Sequence, residues 1–229
     1  NSINIGRLVP QVVYYFWGYL QMAKQGEITL GDEINVTVPT GNFGNILAGY
    51  FAKQMGLPVK TFLCASNDNK VLYDFFTTGT YDKNRPFMVT TSPSMDILIS
   101  SNLERLLCLL TNQETCKKRM EELKTTGKYT LDVKAKDIVG QWADEAKTAA
   151  AIRTMFEENG YVLDTHTAVA YASYETYKKE TGDATPTLIV STASPYKFTK
   201  DVMTAIDEKY AQEDFFVLMD KMAALSGVA

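Results

Sequence analysis

Apolar residues crowd the chain between Leu8 and Ala23, but Pro10, Gln11, Gly18 and Gln21 interrupt them. That run is too short and too broken to span a membrane. Proline suits the first turn of a helix, so the pattern predicts a buried helix starting near Pro10. Asn35 to Val38 reads as a short strand, and Gly44 to Met55 as a helix stopped by Gly56 and Pro58. Val59 to Ala65 is apolar at most positions, as expected of a strand covered on both faces. Strand, helix and strand with such short links form a βαβ unit, which makes the two strands parallel. Further on, Val71 to Phe76 is a short helix candidate and Thr77 to Ser94 is rich in turn residues. Met95 to Leu110 and Gln113 to Lys124 carry helical patterns, and Gly127 breaks the second. Ile138, Trp142, Ala149, Ile152 and Phe156 recur at helical spacing and predict one long helix over Asp137 to Asn159, ended by Gly160. Tyr161 to Leu163 reads as an extended link and Thr167 to Lys178 as a helix. Thr187 to Ser191 reads as an apolar strand, "TASPYKF" as a loop and Lys200 to Lys209 as a helix. In the last helix Phe215, Leu218, Met219 and Met222 fall on one face.

This alternation predicts the α/β class, a parallel-sheet core with helices on both faces. Residues 95–159 form a mainly helical excursion from it. Ligands of such sheets bind beyond the carboxyl ends of the strands. Two loops lie there, Pro39 to Asn45 and Thr192 to Phe198.

Composition narrows the function. The 229 residues are 45% hydrophobic and 22% charged, enough to bury a core. A net charge of -4 argues against nucleic acid, which needs a basic footprint. The densest basic cluster, Lys117-Lys118-Arg119, is followed by Glu121 and Glu122 and reads as a solvated helix face. Cys64, Cys108 and Cys116 have no CxxC spacing, which suggests free thiols in a reducing compartment, the cytoplasm. Cys64 falls in an apolar run and reads as packing. With His166 the only histidine, neither a structural zinc site nor a cysteine nucleophile with its base is expected.

The candidate chemistry lies in "VPTGNFGNILAGY", Val38 to Tyr50. A strand that turns through Gly41 and Gly44 into a helix leaves backbone N–H groups converging at a helix N-terminus, an anion site suited to phosphate. Asn42 and Asn45 add neutral donors. No Gly-Lys-Ser/Thr follows, so this is not a Walker A loop, and the glycine spacing is not GxGxxG. A plain βα turn that needs glycine for its geometry fits the same residues. His166 in "DTHTAVA" stands at a helix start with Asp164 or Thr165 as N-cap, and reads as structural. "STASPYKF" sets hydroxyls at a strand end, where they also serve as turn formers.

Four stretches, "NSINIGRLVPQVVYYFWGY", "VPTGNFGNILAGYFAKQMGLPV", "DTHTAVA" and "STASPYKF", resemble the C-terminal half of threonine synthase in order and spacing along nearly the whole chain. Threonine synthases are pyridoxal-phosphate lyases of the tryptophan-synthase β-like fold, fold type II. They convert O-phospho-L-homoserine and water to L-threonine and phosphate. The resemblance implies that Gly41, Asn42, Phe43, Gly44 and Asn45 hold the cofactor phosphate. It also implies that the Thr192 hydroxyl lies near the pyridine nitrogen. A neutral hydroxyl there does not force protonation of the ring as a carboxylate would. Asn1, Ser2, Asn4 and Arg7 match a motif on the family's substrate side. Arg7 then pairs with the substrate phosphate, or is simply a surface arginine at a helix start. The sequence departs from the pattern at Ser194, where many members have His, and at Thr165, where many have Pro.

The family's Schiff-base lysine lies in a Phe-Lys-Asp type of motif, and no lysine here has that context. Lys197 matches a different lysine of the family. The chain begins without Met and reads as a piece of a longer enzyme, inactive on its own, that lacks its N-terminal half as a partner and self-associates through the surface this exposes. No membrane or metal partner is expected. Two other readings use the same residues. One is a dehydratase-like or cysteine-synthase-like lyase of the same cofactor fold. The other is a non-catalytic phosphate-binding paralogue.

Overall fold

The computed structural model describes residues 3–132 and 135–227. Its centre is a four-stranded sheet in the order β5-β2-β1-β6, with β1 Ile34–Pro39, β2 Val59–Ser66, β5 Ile138–Trp142 and β6 Thr187–Ile189. All three pairings are parallel: Val36 lies opposite Phe62 and Leu188, and Cys64 opposite Gly140. All six residues of β1 are buried, the pattern of a strand covered on both sides. A separate antiparallel pair, β3 Thr80–Asp82 and β4 Lys128–Thr130, stacks Tyr81 flat on Tyr129 with Phe75 edge-on to both.

Helices cover both faces. α2 Val12–Gln25, α3 Gly44–Gln54 and α4 Val71–Thr78 share one apolar core with the sheet. On the other face α8 Thr165–Thr181 packs on β1, β2 and β5. Behind it α7 Glu145–Asn159, α9 Thr199–Ile206 and α10 Phe215–Ser226 complete a second core. Two short hairpinned helices, α5 Leu103–Leu110 and α6 Gln113–Thr126, pack beside the first core, and a one-turn helix α1, Ile5–Leu8, precedes α2. Cys64 is buried as expected, and burial pushes its thiol pKa up to about 12.

Four expected elements are corrected. The long helix over Asp137 to Asn159 is in fact β5 followed by α7. Ile138 and Trp142 satisfy a helical period by chance, while the side chain of Asp144 caps the Lys147 N–H and starts the helix there. The expected helical excursion thus supplies a strand of the central sheet. The helix expected from Met95 begins only at Leu103, because residues 96–102 form an irregular segment. There Ser100 N–H donates to the Tyr81 hydroxyl, and its own hydroxyl donates to the Gly41 carbonyl. The helix near Pro10 is buried on one side only: Val12, Tyr15 and Tyr19 point inward, while Val13, Tyr14, Trp17 and Leu20 are exposed. In α10 Leu218 and Met222 are buried, whereas Phe215 is exposed.

Candidate functional site

β1 and β6 are parallel neighbours, so their carboxyl ends lie side by side. The chain leaves β1 towards α3 in the first core and leaves β6 towards α9 in the second. A crevice opens where adjacent strands send their connections to opposite faces. Here it is a cleft of about 230 Å³, lined by the whole Gly41–Asn45 loop, Thr192, Ala193, Lys197, Ser94, His166 and Gln11 among others.

The loop's conformation explains its bareness. A Cβ on Gly41 would sit 2.5 Å from the Ser94 carbonyl oxygen, so only glycine fits against that backbone. Phe43, at φ 62° and ψ 7°, is the one non-glycine residue with positive φ among the described residues. That conformation costs about 1–2 kcal/mol for an L-residue. Burial of its ring contributes about 1.5–3 kcal/mol in return. Its stack on Phe76, at 5.9 Å and 26°, adds about 0.5–1.5 kcal/mol. Packing therefore holds the strained turn.

The loop's carbonyls face away from the cleft. Gly41 O accepts from the Ser100 hydroxyl at 2.7 Å. Asn42 O accepts from the backbone and side-chain amides of Asn102 at 3.0 and 2.9 Å. Across a trans peptide the N–H points opposite to the C=O, so the Asn42 and Phe43 N–H groups are directed to the cleft side. Phe43 is the N-cap of α3 and makes no side-chain cap bond, which leaves the helix's first N–H groups to whatever occupies the cleft. Asn45 is fixed from behind: the buried Tyr15 hydroxyl donates to its carbonyl oxygen at 2.9 Å and lies against its Oδ1, which leaves the amide NH₂ as the free end of that side chain. Burial holds the Tyr15 pKa well above the usual tyrosine value, so the hydroxyl keeps its proton.

The opposite wall is also braced. His166 is buried, and its Nε2 accepts from the Ser94 N–H at 3.1 Å. Its proton therefore sits on Nδ1, 3.3 Å from Asp164 Oδ1. Asp164 is the N-cap of α8, accepting from the His166 and Thr167 N–H groups. Burial pushes the Asp164 carboxyl up, but hydrogen bonds from the His166 ring and the Thr167 hydroxyl, then from the two backbone N–H groups, outweigh it and hold its pKa below the ordinary carboxylate value. The histidine is a structural brace, as the sequence suggested, and it also forms part of the cleft wall. Thr165 is the first helical residue, a place where proline is equally at home. Ser194 caps a short 3₁₀ turn through the Tyr196 N–H. Asp96, accepting from Asn67, Asn69 and Thr90, anchors the segment that carries Ser94 and Met95.

The donor set suits an anion. Among the described lining residues none is a carboxylate, and Lys197 carries the sole formal charge. Cofactor-loop candidates Gly41, Asn42, Phe43, Gly44, Asn45 and Thr192 are brought together. Of the substrate-side candidates, the two described ones stand apart from them. Asn4 caps α1 through the Gly6 N–H and Arg7 lies on the exposed side of that helix, neither lining the cleft; Asn1 and Ser2 lie outside the described residues. Gln11, one turn on from Arg7 and bonded to its carbonyl oxygen, does line it. Sequence reasoning missed the bracing set of Tyr15, Ser94, Ser100 and Asn102. All are far from the loop in sequence, and no local pattern marks them. Among the described residues no group of three or more His, Cys, Asp or Glu could hold a metal ion, and no helix is long and apolar enough to cross a membrane.

Comparisons agree with this geometry. The family model "Threonine synthase, C-terminal" matches residues 167–228. Human threonine synthase-like 1 is 44% identical over 223 residues, covering 93% of this chain and 29% of that protein. Threonine synthase of Schizosaccharomyces pombe is 38% identical, covering 94% of this chain and 46% of that protein. The crystal structure of pyridoxal-phosphate-bound threonine synthase from Brucella melitensis superposes with a TM-score of 0.82 at 33% identity, over 99% of this chain and 52% of that one. The chain spans less than half the length of these two curated relatives.

Proposed function

We propose, from the premise that this chain belongs to the threonine synthase family and corresponds to its C-terminal portion, that it is the cofactor-phosphate half of a pyridoxal-phosphate-dependent lyase. The carrying observation is the cleft at the β1–β6 crevice, where an uncapped helix start, outward-turned carbonyls and a rim lysine meet without any carboxylate. Gly41 to Asn45 bind the phosphate through backbone N–H groups, and the Asn42 and Asn45 amides add neutral donors. Lys197 places a cation at the mouth of the cleft and complements the dianion. Thr192, three residues past the end of β6, offers its hydroxyl to the pyridine nitrogen without a charge of its own. Bound pyridoxal phosphate supplies the electron-withdrawing ring that stabilises carbanion character beside the substrate's amino group. The His166–Ser94 brace keeps the wall fixed and contributes no proton transfer, because both ring nitrogens are already engaged.

The substrate is O-phospho-L-homoserine, with water as co-substrate and threonine and phosphate as products. By the resemblance Asn1, Ser2, Asn4 and Arg7 serve the substrate side, with Arg7 as the partner of the substrate phosphate; Asn4 and Arg7 lie at α1 outside the cleft lining. The lysine that anchors the cofactor is not among the lysines of this chain, so the 229 residues alone turn nothing over. A second reading is favoured by one observation: the relatives at 42–44% identity are threonine synthase-like 1 proteins, and the threonine synthases stand at 38% and below. It is a paralogue that keeps the phosphate cradle for another purpose. Incubation of the full-length protein with O-phospho-L-homoserine decides between them. Equimolar release of threonine and phosphate is expected. Cofactor binding with no release of either would support the paralogue.

A further inference from the structure

Two of the three cysteines meet on the α5–α6 hairpin, away from the cleft. Cys108 is on α5 and is exposed; Cys116 is on α6 and partly buried. Within α5 the Glu104 carbonyl accepts the Cys108 N–H by the regular four-residue spacing of the helix. The same carbonyl accepts the Cys116 thiol at 3.2 Å. One oxygen atom thus holds the Cys108 backbone and the Cys116 sulfur together, which sets the two cysteines against each other across the hairpin. Seven residues lie between them, and both helices are pinned. Asn112 caps the start of α6 through the Thr115 N–H, and the Thr111 hydroxyl donates to the Leu107 carbonyl at the end of α5. The third thiol, Cys64, is fully buried in the central sheet and takes no part.

The geometry points to Cys108 and Cys116 as a dithiol modification site that hydroperoxides oxidise to an intramolecular disulfide. The steps balance. The exposed Cys108 thiolate attacks the peroxide O–O bond, which gives the sulfenic acid and releases water or an alcohol after proton uptake. The Cys116 thiolate then attacks the Cys108 sulfur, the S–S bond forms, and the S–O bond breaks with loss of water. In sum two thiols and one hydroperoxide become one disulfide, one water and one water or alcohol. Two electrons pass from sulfur to peroxide oxygen. Burial first, then the neighbouring Cys108 and Glu104, raise the pKa of Cys116, and the exposed Cys108 is the thiol that meets the peroxide first.

The sequence supplies a convenient readout, because trypsin releases both cysteines in one peptide, Leu106 to Lys117. The full-length protein is treated with hydrogen peroxide, quenched, alkylated and mapped by mass spectrometry. The expected result is that this peptide loses two hydrogens, resists alkylation, and regains both thiols on reduction. In the native fold the disulfide should form about tenfold faster or more than in concentrated urea, since the contact is pre-organised. The Cys116→Ser variant should instead carry Cys108 on to sulfinic acid. Three results would overturn the proposal: Cys108 passing to sulfinic acid in the wild type while Cys116 stays alkylatable, a disulfide linking two molecules through Cys108, or equal rates in native buffer and urea.

Discussion

At the scale of single residues, two positions carry the site. Gly41 is legible in the sequence as a turn glycine, but its real constraint is the Ser94 carbonyl from a segment fifty residues away, and that contact is invisible in one dimension. Gly41→Ala forces backbone against backbone and should cost about 1–3 kcal/mol in urea unfolding. Asp164 is legible as a helix cap. Its part in setting the His166 tautomer, and through it Ser94, is not, because the histidine's partner comes from a distant loop. Asp164→Asn removes charge-assisted hydrogen bonds and should lower stability by about 1.5–3 kcal/mol at pH 7. The folded-state pKa is depressed, so the carboxylate's contribution is complete above its unfolded value of about 3.9 and is lost as pH falls through the lower folded value. Denaturation curves of wild type and variant should therefore converge only below about pH 4. A gap that stayed constant to lower pH would mean that the ionised form is not what stabilises the fold.

At the scale of elements, the βαβ unit could be read because its strands are short apolar runs with glycine and proline between them. β5 could not. Ile138 and Trp142 fit two periods, and the arbiter is tertiary: pairing with β2 and the fit of α4 over Gly140. A Cβ at Gly140 would lie 2.9 Å from the Tyr73 Cα and 3.0 Å from its carbonyl oxygen. Gly18 is a contrasting case. Its added Cβ would meet the Leu188 Cδ2 at 2.7 Å, the end of a side chain that can turn aside. Gly140→Ala should destabilise by about 1–3 kcal/mol through overpacking. Gly18→Ala, which gains helix propensity, should stay within about 1 kcal/mol of wild type. Thermal unfolding of the pair tests the packing of α4 on β5, and equal losses in both would contradict it.

At the scale of the whole molecule, three of the four strands of the central sheet and both helical layers followed from the order of elements, and the position of the cleft followed from the strand ends. The one-sided burial of α2 did not follow, since its inward and outward faces are equally apolar. Val13, Tyr14 and Trp17 are each more than 60% exposed, and β6 beside them is an unpaired sheet edge. The 229-residue chain should therefore self-associate with rising concentration in light scattering, and Val13→Lys with Trp17→Lys should suppress this. A wild-type monomer at every concentration would contradict it. The central claim is that the bare loop exists to hold a phosphate. Charge-assisted hydrogen bonds of about 1.5–3 kcal/mol each favour the anion. Association costs of several kcal/mol oppose it. Binding of free phosphate should therefore be weak, about millimolar. The most direct measurement is a phosphate titration of the ¹⁵N-labelled chain followed by amide chemical shifts. Saturable shifts confined to Gly41 through Ile46 and their neighbours, and absent in a folded Gly41→Ala variant, are the predicted result. Unmoved amides at Gly41 to Asn45, or shifts spread over surface lysines alone, would contradict it.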